Sequence, residues 1–172
     1  MKKTYSDWTI ERTSLTGVMK IGLTSFEDHR GSYIETYNKY FFLENNINVE
    51  FLQDDISVSK KNVLRGIHGD QKTWKLISCL YGEFQLIVVN NDLQSNEYKK
   101  WQSFHLSFEN KTQILVPPKF GNGHLVLSDK CIFHYKQNSE YDRSGQFTIK
   151  WNDPSFGFKW KIQNPILSER DK

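Results

Sequence analysis

Apolar residues along the chain come in short runs, most of them rich in β-branched and aromatic side chains and several alternating with polar ones. The runs at 18–23, 33–37, 51–58, 75–81, 84–89, 101–106, 113–116, 124–127, 132–136 and 147–151 read as strands. In Phe84-Gln85-Leu86 the outer two residues are spaced to face one side. Turn-forming residues separate the runs: His29-Arg30-Gly31, Arg65-Gly66, Tyr81-Gly82, Asn90-Asn91-Asp92, Glu109-Asn110, Pro117-Pro118 and Asn152-Asp153-Pro154. About ten short strands at this spacing predict an all-β sandwich or barrel. One helical stretch is expected at 38–45, where Phe41, Phe42 and Leu43 precede an Asn-Asn stop. No repeat, linker or charge block interrupts the pattern, so one domain over residues 1–172 is expected.

Composition removes several function classes. Lys and Arg number 23 against 20 Asp and Glu, a net charge of +3, which does not suit a protein that coats nucleic acid. Aromatics at 15% with only four prolines exclude a disordered or low-complexity chain. The longest apolar run, 86–89, is far too short to span a bilayer. The basic start has no apolar stretch behind it, so a soluble, cytoplasmic protein without an export signal is expected. Cys79 and Cys131 cannot build a disulfide framework and read as buried thiols. The five histidines, at 29, 68, 105, 124 and 134, contain no His-x-His and lie at least ten residues apart, so no metal site is expected.

Local spacing leaves the chemistry open. His68 sits in Leu64-Arg65-Gly66-Ile67-His68-Gly69, where it could be a satisfied strand residue or a catalyst. The Pro117–His124 stretch reads equally as a barrel corner or as a place where glycines let the backbone approach a ligand. His105 falls in an alternating strand and reads as structural. The polar end, residues 166–172, would fray unless something holds it.

These same residues carry a resemblance. The pieces are Phe26 with Arg30-Gly31 and Glu35; Gln53, Asp55, Ser57 and Ser59; Leu64-Arg65-Gly66-Ile67-His68; Lys75-Leu76 with Gly82; and Leu106-Ser107, Asn110 and Gln113 running to Pro117. Phe120-Gly121-Asn122-Gly123, Tyr135-Lys136, Trp151 with Asp153, and Leu167-Ser168-Glu169-Arg170-Asp171 complete them. In this order they resemble the dTDP-4-dehydrorhamnose 3,5-epimerase family, cupin-type double-stranded β-helix (jelly-roll) barrels that work as strand-exchanged homodimers without a cofactor. The resemblance implies His68 as the base, Asp171 as the carboxylate that orients it, Lys75 at the keto oxygen and Tyr135 as the acid on the opposite face, with Tyr141 as runner-up. It implies Phe26, Arg30, Glu35, Gln53, Asp55, Arg65 and Asn122 as substrate contacts, the Arg30 segment serving the neighbouring subunit's site. The chemistry suits these residue types. A C4 ketone acidifies the hydrogens on C3 and C5, a neutral histidine can remove one, and a fixed cation stabilises the enolate.

Three departures from the family pattern bear on the substrate. The loop between His68 and Lys75 is short, Asn122 stands where the family has a histidine, and Asp55 stands where it has the nucleobase asparagine. A carboxylate only accepts hydrogen bonds and suits the donor edge of guanine, which favours a GDP-linked 4-keto deoxyhexose or heptose for surface polysaccharide. A nucleotide 4-keto-sugar 3,4-ketoisomerase and a non-catalytic sugar-nucleotide-binding cupin are the alternatives.

Overall fold

The computed structural model describes residues 7–172; the basic start read above for the lack of an export signal lies largely outside them. Thirteen strands and one short helix follow in the order β1 (Thr9–Arg12), β2 (Met19–Gly22), β3 (Ser25–Asp28), β4 (Gly31–Ile34), α1 (Lys39–Glu44), β5 (Gln53–Lys60), β6 (Leu64–Gly69) and β7 (Lys75–Tyr81). Then come β8 (Glu83–Asn90), β9 (Trp101–Ser107), β10 (Thr112–Val116), β11 (Phe120–Val126), β12 (Lys130–Gln137) and β13 (Phe147–Thr148). One sheet runs β1-β2-β10-β7-β12-β5, the other β13-β6-β11-β8-β9, and β3 and β4 form a separate hairpin. The fold is the expected all-β cupin-type jelly roll.

Three apolar layers explain the sequence pattern. Between the sheets, Ile77, Ile114, Cys131 and Phe133 of the first pack against Phe84, Leu86, Phe104 and Leu106 of the second. Outside the first sheet, Ile21, Leu76 and Leu115 are covered by Trp8 and by Phe41 and Phe42 of α1. Outside the second, Ile67, Ile87 and Val89 are covered by Ile149 and the aromatics Phe147, Phe156, Phe158 and Trp160. Both faces of β8 are therefore covered, which is why its run 86–89 is continuous rather than alternating. Phe84 and Leu86 do share the inner face. Gln85 is buried on the other side, donating to Ser103 and to the Lys159 carbonyl (2.9 and 2.8 Å) and accepting from Lys161 N (2.9 Å).

The helix forms where expected, with Asn38 as N-cap accepting from Tyr40 N at 3.0 Å and Asn45 as C-cap. Two turn expectations are corrected. Arg65-Gly66 is not a turn but lies inside β6, at a bulge where the register against β11 shifts. Gly66 has φ +114°, and a Cβ there would stand 2.6 Å from Gly123 Cα; the glycine allows two backbones to touch. Of the Pro117–His124 stretch, only the part before Phe120 turns, and the rest is β11. Strand β13 is shorter than the expected 147–151, and β1, β3 and β6 lie outside the expected runs. No described helix is long and apolar enough to cross a membrane.

Candidate active site

A cavity of about 500 Å³ opens between the two sheets. Strand β6 contributes Arg65 and His68, β7 Lys75, β11 Asn122 and His124, and β12 Phe133 and Tyr135. His68 therefore comes from one sheet, and Lys75 and Tyr135 from the other.

The chain end completes the cavity wall. Ile166 bridges to Val63 beside β6, accepting from Leu64 N and donating to the Asn62 carbonyl. This brings Asp171 to His68, Nε2 to Oδ1 at 2.7 Å, while Ser168 Oγ donates to Asp171 Oδ2 at 2.8 Å. Asp171 is buried. Burial opposes its charge, but the hydrogen bonds from His68 and Ser168 outweigh it and hold the carboxyl below its ordinary value. With Asp171 ionised, Nε2 carries the proton and Nδ1 is left with the lone pair a base needs.

Lys75 is buried, and burial, with help from the Arg170 charge and against that of Asp70, pushes its pKa down. Its Nζ donates to Asn122 Oδ1 at 3.3 Å and lies 5.9 Å from the centre of the Tyr135 ring. No described carboxylate forms an ion pair with it, so no fixed anion competes for its Nζ. The Tyr135 hydroxyl is pushed up, first by burial and then by the charge of Asp55, and stays protonated.

Cations outnumber carboxylates along the wall: Arg65, Lys75, Arg143 and Arg170 against Glu169 and Asp171. Arg65 Nε donates to Ser59 Oγ at 3.1 Å, and Arg170 is propped on Gln146 and Thr148. Planar guanidinium groups fixed in this way suit a diphosphate.

The structure gathers His68, Lys75, Tyr135, Asp171, Arg65 and Asn122 around one cavity. The other expected contacts do not line it. Phe26, Arg30 and Glu35 lie on or next to the β3–β4 hairpin, where Arg30 is exposed and paired with Asp28, and Glu35 accepts from Asn38. Gln53 and Asp55 lie on β5, bonded to each other at 2.7 Å, with Asp55 opposite Tyr135 in the strand pairing. The runner-up Tyr141 does line the cavity. Arg143, Gln146, Arg170 and His124 were not anticipated as site residues. Arg170 carried a signal in its place beside Asp171 in the closing motif, and His124 in its place two residues beyond Asn122.

Comparison with known proteins identifies the family. The family profile described as dTDP-4-dehydrorhamnose 3,5-epimerase matches residues 12–172. An enzyme of that name from Methanothermobacter thermautotrophicus is 36% identical over 94% of this chain and 90% of its own length. One from Shigella flexneri is 37% identical over 93% and 91%. A crystal structure of a 3,5-epimerase from Legionella pneumophila, in complex with dTDP-4-keto-L-rhamnose, superposes with a TM-score of 0.91 at 33% identity, covering 95% of this chain and 89% of that one. Profile, relatives and fold together show that the chain is an enzyme of the dTDP-4-dehydrorhamnose 3,5-epimerase family.

Proposed function

We propose that the protein inverts C3 and C5 of a nucleoside-diphosphate-linked 4-keto-6-deoxy sugar. The observation that carries this is the origin of His68 and Tyr135 in opposite sheets, with Lys75 beside Tyr135. His68 Nδ1 takes the proton from C3, the electron pair moves to the C4 oxygen, and the Lys75 ammonium stabilises the enolate. Tyr135 then gives its hydroxyl proton to the other face of C3 as the enolate electron pair re-forms the C–H bond; His68 releases the C3 proton to solvent and solvent reprotonates Tyr135. The same cycle at C5 needs only a ring flip that presents C5 to His68. Asp171 stays ionised and keeps the imidazole in one tautomer. Arg65, Arg143 and Arg170 hold the diphosphate.

For the nucleotide, the guanine reading rested on Asp55, which does not line the cavity and accepts from Gln53. The solved relative carries a dTDP sugar. We therefore place dTDP ahead of GDP and assign the product to surface-polysaccharide precursors made in the cytoplasm. The exposed hairpin with Phe26, Tyr33 and Arg30, and the edge strand β5 with outward Ile56 and Val58, support a homodimer in which the hairpin reaches the neighbouring cavity.

The test is deuterium uptake in D₂O with dTDP- and GDP-4-keto-6-deoxyglucose, read by mass and proton NMR. Uptake at C3 and C5 with the ketone kept at C4 is expected, from the dTDP sugar first. Uptake at C3 alone reduces the reading to a 3-epimerase. A ketone moved from C4 replaces it with the ketoisomerase, and nucleotide binding without exchange replaces it with a binding module.

A further inference from the structure

His124 is a polar residue with nothing in the protein to do. It is 3% exposed and lines the cavity, yet its Nε2 is buried without a hydrogen-bond partner, and no described group bonds the other ring nitrogen. The ring is pinned rather than mobile. It stacks on Phe133 with centroids 3.9 Å apart and planes 6° from parallel, and Phe84 packs on it at 5.4 Å. A phenylalanine would fill this slot without leaving the buried Nε2 unmet. Burial first, then the charges of Arg65 and His68, push the imidazole pKa down to about 3, against the pull of Asp171. The ring is therefore neutral throughout the working pH range, with one N–H and one lone pair.

A neutral ring is a poor partner for phosphate and a good one for a hydroxyl, which both donates and accepts. Its place in the strand says which part of the substrate it meets. Residues 122 and 124 project from the same face of β11, so His124 sits one step beyond Asn122, which holds Lys75. We infer that His124 is a specificity-determining contact that hydrogen-bonds a hydroxyl of the sugar ring at the inner end of the cavity. This rests on the reading of the cavity as a sugar-nucleotide site.

His124→Phe is the direct test, because it keeps the stacking and removes only the nitrogens. The expected result is a melting temperature equal to or above that of the wild type, with kcat/KM for the sugar nucleotide lowered roughly five- to tenfold, the scale of one neutral hydrogen bond. A lowered melting temperature with unchanged kcat/KM overturns the inference in favour of a packing role. A second measurement uses ¹⁵N-labelled protein, with the His124 ring signals assigned by their loss in the variant. Those signals should move with dTDP-glucose and stay in place with dTDP alone; if guanine wins in the exchange assay, GDP-glucose and GDP are used. Equal movement with the bare diphosphate, or none with either, overturns the inference. Wild-type protein that exchanges no deuterium overturns the sugar reading itself, whereas wild-type exchange with an unaffected variant overturns only the role of His124.

Discussion

Two histidine–aspartate pairs occur among the described residues, and only one of them faces the cavity. His68 meets Asp171 at 2.7 Å inside the cavity. His134 meets Asp54 at 3.2 Å on the outer side of the first sheet. The difference lies in what else each carboxylate does. Asp171 is sheltered, its side chain 3% exposed, and its partners are a histidine and the serine that steadies it. Asp54 is 55% exposed and bonds Lys136 Nζ at 2.7 Å, so its charge is already matched by a permanent cation. Burial pushes His134 down despite that carboxylate, so Asp54 faces an imidazole that resists taking up a proton. Proximity of histidine to carboxylate is not the mark of a base; shelter, an uncommitted charge and a cavity in front of the ring are.

The strongest way to break this comparison is to remove each histidine in turn. His68→Asn should lower kcat about 10³-fold, within the usual range for a general base, with nucleotide affinity little changed. His134→Asn should leave kcat within about twofold, as for a residue outside the cavity. Comparable losses in both variants would show the distinction to be false. Next in size is Lys75→Met, for which kcat should fall about 10²-fold through loss of the enolate partner. Because burial lowers Lys75 and the ammonium is the working form, wild-type turnover should fall as pH rises through a value below roughly 10.4. Asn122→Asp places a carboxylate beside Nζ and should move that limb upward; an unmoved limb would remove Lys75 from the mechanism.

Asp171→Asn should cost about 10-fold or more in kcat by unfixing the His68 tautomer. The sign of its pH dependence follows from its lowered pKa. The fold favours the charged form, so the stability this contact contributes is complete above the ordinary aspartate value and is lost as pH falls through the lower folded one. Hydrogen exchange at Leu64, whose N–H bonds Ile166 of the folded-back end, should show that loss below pH 4 in the wild type and not in the variant.

Much of this site was legible in the sequence through the family resemblance. Local spacing leaves His68, Lys75 and Tyr135 open, and only the pairing within the two sheets brings strands far apart along the chain around one cavity. Asp171 was legible only through its motif, since a polar end predicts fraying until Ile166 is seen bridging to Val63. Gly66 misled because a glycine after an arginine signals a turn, whereas here it lets β6 touch β11. Arg143 and Gln146 stand in an irregular loop, where no periodicity links sequence to direction. Gln53 and Asp55 are expected ligand contacts; in the structure they bond each other along β5, and the register against β12 sets Asp55 opposite Tyr135.

The smallest effect is the most informative about the outer pair. Asp54→Asn removes a half-exposed carboxylate whose partners are Lys136 and His134, so monomer stability should change by no more than about 0.5 kcal/mol. Asp54 is nonetheless flanked along the edge strand by outward Leu52, Ile56 and Val58, which are 68%, 62% and 54% exposed. An apolar edge of this kind is covered in a soluble assembly. If the proposed homodimer uses it, the dimer dissociation constant measured by sedimentation should rise in Asp54→Asn while the melting temperature under dimer-saturating conditions barely moves. An unchanged dissociation constant would place the interface elsewhere and leave Asp54 a surface charge that the fold merely tolerates.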